Sequence, residues 1–131
     1  MSTMHVEVVT PERVIFSGEA TMVVTRTLDG EIAFQPNHAP FLGALLENHT
    51  RIYVEGDKVE NLAVHGGFVE VSDNRVSILS DLAEFASEID VEEARRQLEE
   101  AERKLLNGGA EDDEAQAAVR RASARISTVG G

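Results

Sequence analysis

Two side chains that could transfer a proton lie close together in residues 30–41, which read GEIAFQPNHAPF. Glu31 supplies a carboxylate and His38 an imidazole, and such a pair can act as general acid and base. Pro36 and Pro40 fix φ and remove backbone donors, which suits a stiff, exposed loop equally well. The stretch is therefore compatible with an active site or with a docking surface, and the rest of the chain has to discriminate between them.

Other catalytic and metal-binding patterns are missing from the sequence. The chain has no cysteine, so it offers neither a thiolate nucleophile nor a thiolate metal site. No serine lies in the G-x-S-x-G context of a hydrolase nucleophile. The histidines are scattered without a ligand spacing such as H-x-x-x-H; they are His5, His38, His49 and His65. The sequence therefore predicts no catalytic residue, no metal site and no cofactor.

The composition makes several classes of partner unlikely to be bound directly. The 131 residues include 24 Asp and Glu against 12 Lys and Arg, a formal charge of −12. A surface of that sign repels phosphate backbones and anionic lipid head groups, so nucleic-acid binding is not expected. The N-terminus lacks a basic and apolar leader, and no segment approaches the roughly 20 apolar residues of a spanning helix. We expect a soluble protein that reaches a membrane only through a protein partner.

The chain up to about residue 84 has the pattern of short β-strands. The β-branched and mostly alternating segments are residues 5–9, 21–26, 51–55 and 75–79. Turn signals rich in Gly, Asp, Asn and Pro separate them at close spacing, which predicts an antiparallel sandwich or flattened barrel. The pair Gly66-Gly67 has no helical pattern after it, so a bulge or sheet corner is favoured over a phosphate cradle.

After residue 88 the apolar period becomes helical. Asp90 can cap the first helix, which breaks at Asn107-Gly108-Gly109, and the second helix starts near the acidic run Glu111 to Glu114. The expected seams are Val91, Ala94, Leu98, Ala101 and Leu105 on the first helix, and Ala115, Val119, Ala122 and Ile126 on the second. Two helices joined by a short glycine turn form an antiparallel hairpin.

The hairpin seams are rich in alanine, and this limits their stability. Burying a full Leu or Ile is worth about 1.5 to 3 kcal/mol and an Ala much less, so the hairpin is marginal alone. Pairs in the favourable order, Glu99 with Arg103 and Glu100 with Lys104, add a little support. Two interpretations stay open: a movable element that opens at low cost, and a hairpin packed permanently on the sandwich.

Two segments carry a resemblance to a known family. GEIAFQPNHAPFLGAL, which starts at Gly30, resembles the G-E-(Leu/Ile)-(Gly/Ala)-x-x-P-x-H-A-P-(Leu/Phe)-L pattern of the epsilon subunit of F-type ATP synthases. VHGGFVEVSDNRVSILSD, residues 64–81, resembles the second signature of that family, a Gly-Gly pair followed by two aliphatic strands and a final Asp. Because both occur in register along the chain, the sequence is identified as a member of this family.

The resemblance implies a non-catalytic rotor subunit of α+β fold. The family has an N-terminal antiparallel β-sandwich of about ten strands, here residues 1–86, and a C-terminal two-helix hairpin, here residues 87–131. The sandwich lies between the gamma subunit of the central stalk and the membrane c-subunit ring, peripheral to the cytoplasmic face of a bacterial plasma membrane. The hairpin transiently reaches the alpha/beta catalytic head and restrains ATP hydrolysis. The loop with Glu31, His38 and Pro40 then docks on the ring.

The resemblance also raises the possibility of an ATP site on the hairpin. Some members carry (Ile/Leu)-Asp-x-x-Arg-Ala at the start of the first helix and arginines near the end of the second. Asp90, Arg121 and Arg125 match this pattern, but Glu93 stands where the pattern has arginine. Because a carboxylate repels phosphate, we expect this hairpin to bind ATP poorly.

Two other functions remain as alternatives. A self-contained β-sandwich enzyme would use Glu31 and His38 as acid and base, and it would turn over a small substrate alone. A generic protein-binding module would carry the hairpin as a tail without any rotor role. A rotor subunit differs from both because it co-purifies with gamma and the membrane ring.

Overall fold

The computed structural model describes residues 2–108 and 112–130. Within them the chain forms ten strands, a 3₁₀ turn at Ala86–Glu88 and two helices. The strands are β1 (Met4–Val9), β2 (Val14–Ala20), β3 (Met22–Thr27), β4 (Gly30–Phe34), β5 (Phe41–Ala44), β6 (Glu47–Val54), β7 (Lys58–His65), β8 (Phe68–Ser72), β9 (Arg75–Leu79) and β10 (Ala83–Phe85). The helices are α1 (Val91–Gly108) and α2 (Asp113–Gly130).

The strands form two five-stranded sheets that pack face to face. Sheet A has the order β2-β1-β9-β8-β5, and sheet B has the order β10-β7-β6-β3-β4. Among the described strands all neighbours are antiparallel except β1 and β9, which pair in parallel with Val6 opposite Val76. The prediction of a β-sandwich followed by a helical hairpin is confirmed. Within the described strands, the sandwich differs from the purely antiparallel one predicted only in the parallel pair of β1 and β9.

Alternation along the strands builds the core between the sheets. In β1 the residues Met4, Val6 and Val8 are buried, whereas the residues between them are half-buried. Phe34 and Ile52 from sheet B join the same apolar cluster. Each fully buried side chain of this size contributes about 1.5 to 3 kcal/mol, so the sandwich holds most of the stability of the chain.

Gly66 and Gly67 turn the chain from sheet B to sheet A. Both have positive φ, 79° and 101°, in a region that other residues rarely adopt. A Cβ on Gly67 would overlap the carbonyl oxygen of Leu79 and lie 2.8 Å from the Cα of Ser80. The Leu45 amide donates a 2.8 Å hydrogen bond to the Gly67 carbonyl. The expectation of a sheet corner at this pair is confirmed.

Both helices begin at an aspartate cap. The amide of Glu93 donates to Asp90 Oδ1 at 3.1 Å, which confirms the cap predicted there, and the amide of Ala115 donates to Asp112 Oδ1 at 3.0 Å. Each carboxylate satisfies one of the backbone donors that a helix start leaves open. The turn predicted through Gly109 and the acidic residue Glu111 lie outside the described residues.

The two helices pack through small side chains. The buried residues at their contact are Ala94 and Ala101 from α1 and Ala115 and Ala122 from α2. The larger seam residues of the prediction are only half-buried: Val91, Leu98, Leu105, Val119 and Ile126. The seam positions are therefore confirmed, but the apolar area that they remove from water is small.

The outward face of α1 carries ion pairs within the helix. Glu99 and Arg103 are 3.8 Å apart, and Glu100 and Lys104 are 3.6 Å apart, as predicted from their spacing. All four side chains are exposed, and such pairs contribute about 0.3 to 0.5 kcal/mol each. In the described part of the chain no helix has the length and apolar character needed to cross a membrane.

The hairpin packs on the outer face of sheet B. Helix α2 contacts β6 and β7, and its side chains in the groove are Val119, Arg120, Ser123, Ala124 and Ser127. Two ion pairs cross the contact, from Arg120 to Glu47 at 3.0 Å and from Arg125 to Glu84 at 3.2 Å. The hairpin thus meets the sandwich through small side chains and charges, and it covers one of the two outer faces.

We predict that Gly67→Ala destabilises the sandwich by about 3 kcal/mol or more, because strain and a backbone clash add. Gly56→Ala is the matched control, since Gly56 also has positive φ, at 83°, but has no atom within 4 Å of the added Cβ. That variant should lose only about 1 kcal/mol from strain. Urea unfolding followed by circular dichroism measures both, and equal losses would contradict the corner geometry.

Candidate functional site

Glu31 lies in strand β4, next to the groove under α2. Its carboxylate accepts a hydrogen bond from Arg51 Nη2 at 3.2 Å and lies 3.8 Å from Arg26 Nη2. The expectation that Glu31 belongs to a stiff loop with His38 is wrong, because residues 30–34 pair with β3 over their whole length. Glu31 is thus a half-exposed strand carboxylate with two arginine neighbours on the outer face of sheet B.

His38 and Pro40 lie beyond the other end of β4. The His38 ring packs edge-on against Phe34 with centroids 5.0 Å apart, and its Nδ1–H donates to the Ala39 carbonyl at 2.7 Å. At about 3.3 Å per strand residue, Glu31 and Phe34 are separated by about 10 Å along β4. The structure therefore does not bring Glu31 and His38 together as an acid and base pair.

The loop with His38 is held in place by a turn of the other sheet. The backbone N–H of Asn37, a residue with a positive φ of 66°, donates a hydrogen bond to Asn74 Oδ1 at 2.9 Å. The Asn74 side chain also donates to the Thr3 carbonyl at 2.9 Å. These bonds join three chain segments at one end of the sandwich. A loop fixed in this way loses little entropy when a partner binds to it.

Three polar side chains on β1 and β2 follow the serine, histidine and carboxylate order of a catalytic triad. Ser17 Oγ lies 3.4 Å from His5 Nε2, and His5 Nδ1 lies 3.2 Å from Glu19 Oε2. Hydrogen bonds from Thr3 and His5 hold the pKa of the Glu19 carboxyl below its usual value. Because Ser17 and Glu19 are exposed on an outer sheet face, water competes with every contact. We interpret these contacts as surface hydrogen bonding.

The described side chains do not form a metal-binding cluster. Within residues 2–108 and 112–130, no group of three or more His, Asp and Glu side chains converges on a point where a cation could bind. Oxygen- and nitrogen-coordinated metals in proteins require such convergence.

An apolar row crosses the outer face of sheet A. It consists of one residue from each strand, Val14, Val9, Leu79, Phe68 and Ala44, which are neighbours in the strand register. Three of them are at least half-exposed: Val14 at 56%, Phe68 at 56% and Leu79 at 50%. Contiguous exposed apolar side chains on a folded domain make this face the candidate docking surface.

The outer face of sheet B carries a cluster of charges under the hairpin. The Arg125 guanidinium contacts Glu84 of β10 at 3.2 Å, Glu93 of α1 at 3.4 Å and Gln97 Oε1 of α1 at 2.8 Å. Glu84 also accepts a hydrogen bond from His65 Nε2 at 3.0 Å. The cluster therefore joins the sandwich to both helices.

The carboxylates that hold the hairpin are ionised at neutral pH. The hydrogen bond from His65 lowers the pKa of Glu84, and the Arg125 charge adds to this effect against the opposing influence of burial. Burial raises the pKa of Glu47, but its own backbone amide and Arg120 more than offset that effect and leave the pKa lowered. A depressed pKa means that the stabilisation is present above the ordinary value and is lost only in acid.

The candidate ATP residues already have partners within the chain. Asp90 caps α1, as described above, and Arg121 donates to Glu114 at 2.9 Å. Arg125 is occupied by Glu84, Glu93 and Gln97. A phosphate would have to displace two carboxylates from Arg125 and then lie beside them. This geometry supports the expectation of poor ATP binding, which stays a prediction.

These features define a class of protein. One outer face of the sandwich is covered by the hairpin of the chain, and the other exposes an apolar row. The fold is that of a two-part protein, a β-sandwich with a helical hairpin, that has one face available for docking.

The comparisons with known proteins give the family. The profile of the ATP synthase delta/epsilon chain β-sandwich domain matches residues 3–86, and that of the long α-helix domain matches residues 87–130. The chain belongs to the ATP synthase delta/epsilon chain family. The predicted membership in the epsilon-subunit family is confirmed, and with it the prediction of a non-catalytic subunit of the ATP synthase.

Individual relatives are similar over most of their length. The ATP synthase epsilon chain of Brevibacillus brevis is 50% identical over 113 residues, which is 86% of each chain. That of Thermobifida fusca is 46% identical over 94% of this chain and 89% of its own. A chain in the structure of the Euglena gracilis mitochondrial ATP synthase OSCP/F1/c-ring has the same fold, with a TM-score of 0.85 at 21% identity, covering 100% of this chain and 83% of that one.

Sequence reasoning missed the apolar row and the partners of Arg125. The row could have been suspected from Val9, Phe68 and Leu79, since each is an apolar residue where strand alternation places the outward face. The Arg125 cluster had no comparable signal, because Glu84 and Glu93 are far from Arg125 in the chain.

We predict that the isolated protein shows little or no heat in calorimetry with millimolar ATP. Glu93→Arg should improve ATP binding by about tenfold or more, since it replaces a repulsive charge with an attractive one beside Arg125. Glu99→Arg is the control, because it makes the same charge change on the outward face of α1, where Glu99 pairs with Arg103. Tight binding by the unmodified chain would contradict the prediction.

Proposed function

We propose that this protein couples the gamma subunit of the central stalk to the c-subunit ring and restrains ATP hydrolysis through its hairpin. Residues 1–86 form the coupling domain and residues 87–131 the regulatory domain. The protein acts at the cytoplasmic face of a bacterial plasma membrane, which it reaches through its partner subunits. The family membership supports the assembly, and the surfaces described above support the division of roles.

The apolar row on sheet A is the observation that carries the proposal. It spans five strands of a rigid sheet, so a partner meets side chains that are already in place and costs little ordering entropy. The buried core of a protein interface is more apolar than its rim, and Phe68 supplies an aromatic anchor within the row. We assign the row to gamma, because a stalk subunit must be held firmly if the ring is to transmit torque.

The residues predicted to contact the ring lie at opposite ends of β4: Glu31 at its start, and His38 and Pro40 beyond its end. Glu31 lies with the exposed Leu28 beside the turn from β3 to β4, and its half-exposed carboxylate keeps lone pairs for amide or basic groups on the polar loops of the ring. Pro40 adjoins Leu42, an exposed residue next to the face of the apolar row. We therefore propose that Glu31 faces the ring, and that His38 and Pro40 extend the gamma surface.

The hairpin is suited to a reversible role. Its contact with sheet B consists of one Val, small Ala and Ser side chains and ion pairs, so little apolar surface opposes release. Release would free Arg120 and Arg125 from Glu47 and Glu84. A basic helix face of this kind suits a transient contact with an acidic surface of the alpha/beta catalytic head.

Replacing Phe68 or Leu79 by Asp tests the gamma surface. Each change puts a charge into an apolar contact, and we expect co-purification with gamma to fall about tenfold or more. Melting temperatures should stay close to that of the unmodified protein, because both side chains are at least half-exposed. Leu106→Asp is the control, because Leu106 on α1 is an apolar residue that is 85% exposed and lies outside the row. Unchanged gamma binding in both row variants would exclude the row as the interface.

A chain stopped after residue 87 tests the regulatory role. The buried apolar cluster lies entirely within residues 4–85, so the sandwich should fold and bind gamma. ATP hydrolysis by the reconstituted enzyme should be several-fold faster with the truncated chain than with the full chain, because the restraining element is gone. Equal hydrolysis rates would contradict a regulatory hairpin, and a failure to couple proton flow to synthesis would contradict the two-part division.

A further inference from the structure

Four ionisable side chains meet at the junction of the sandwich and the hairpin. Arg125 of α2 is 14% exposed, Glu84 of β10 is 18% exposed and His65 of β7 is 5% exposed. Glu93 of α1 is half-exposed at the edge. Charged residues are rarely buried to this extent unless their partners compensate for the lost water.

Arg125 contacts the sandwich and the other helix of the hairpin at the same time. Its Nε lies 3.2 Å from Glu84 on the sandwich, and its Nη1 lies 2.8 Å from Gln97 Oε1 and 3.4 Å from Glu93 Oε1 on α1. A guanidinium can do this because its donors point in several fixed directions in one plane. One side chain of α2 therefore ties α2, α1 and β10 together.

The other ion pairs of the hairpin lack this property. Arg121 pairs with Glu114 inside α2, and Arg103 pairs with Glu99 inside α1. Neither makes an ion pair with the sandwich, although the charge of Arg121 acts on Glu47 from a greater distance. Arg120 reaches Glu47 on β6, but its side chain is 45% exposed, where water and salt screen the attraction. Arg125 is the described arginine of the hairpin that is both buried and shared between both helices and the sheet.

We propose that Arg125 is the latch of the hairpin: its withdrawal from Glu84, Glu93 and Gln97 is the step that sets how often the hairpin leaves sheet B. The inference rests on the proposed function only for its consequence, the restraint of hydrolysis. The docking itself is a property of the isolated chain.

Withdrawal of Arg125 affects both helices of the hairpin at once. When Arg125 leaves, it gives up acceptors on two elements at once, because Glu84 belongs to the sandwich and Glu93 to α1. The two carboxylates then face each other across the junction without a cation between them. Their repulsion pushes α1 away from β10, so loss of the one side chain loosens both helices.

The test uses the isolated full-length protein and hydrogen exchange measured by mass spectrometry. Because the hairpin is marginal alone, the exchange of α2 amides reports its release from the sheet. Arg125→Ala should increase α2 exchange about tenfold or more, since it leaves buried charge uncompensated. Arg125→Lys should give an intermediate value, because an ammonium group cannot bridge three acceptors as the planar guanidinium does.

Arg121→Ala is the matched control, since it removes an arginine one turn away on α2 that pairs only within the helix. Exchange of β1 and β8 amides should be the same in all variants, which shows that the sandwich is intact. If Arg125→Ala does unfold the sandwich, Glu93→Gln replaces it as the test variant. This change keeps Arg125 and removes the negative charge of its partner at the edge, so it should raise α2 exchange several-fold.

The latch is excluded if α2 exchange in the intact Arg125→Ala variant stays within about twofold of the unmodified protein, or rises no more than in Arg121→Ala. An unchanged value in Glu93→Gln, where that variant is needed, excludes it as well. Because no other subunit is present, these outcomes leave the rotor role untouched. Faster exchange combined with unchanged hydrolysis in the reconstituted enzyme would instead keep the latch and contradict the regulatory part of the proposed function.

Discussion

Two sheets that bury their inner faces against each other still have two outer faces, and each must meet water, another element or a partner. In this chain the hairpin covers sheet B, while the apolar row of Val14, Leu79, Phe68 and their neighbours crosses the uncovered sheet A. This division is the basis of the proposed function, in which the stalk holds the uncovered face and the covered face carries the releasable hairpin.

The two parts of the molecule differ in the forces that hold them. The sandwich is stabilised by fully buried aliphatic and aromatic side chains, among them Phe34, Ile52 and Ile78, and its corner at Gly67 allows no side chain. The hairpin buries mainly alanine and relies on ion pairs at its base. Dense apolar packing makes a rigid body suited to transmitting torque, whereas charges and small residues allow separation without a large loss of buried apolar area.

Several arginines of the chain are concentrated on the side of sheet B that the hairpin covers. The chain has only 12 Lys and Arg against 24 Asp and Glu, yet Arg26, Arg51, Arg120 and Arg125 all lie on or under the hairpin side of sheet B. Each is close to a carboxylate there. In an acidic protein these arginines prevent the hairpin and the sheet from repelling each other. The outer face of sheet A has its charged and polar side chains, among them His5, Glu19 and Arg75, beside the apolar row.

Local chemistry made much of this protein readable from its sequence. Strand alternation, the helical period after residue 88, the cap at Asp90 and the corner at Gly66 depend on neighbours in the chain, and two motifs identified the family. Tertiary structure alone decided the parallel pairing of β1 with β9, the contacts of Glu31 with Arg26 and Arg51, its separation from His38, and the Arg125 cluster. These join residues that are distant in the chain or depend on the register between strands. Register is a property of the whole sheet, so no single strand reveals it.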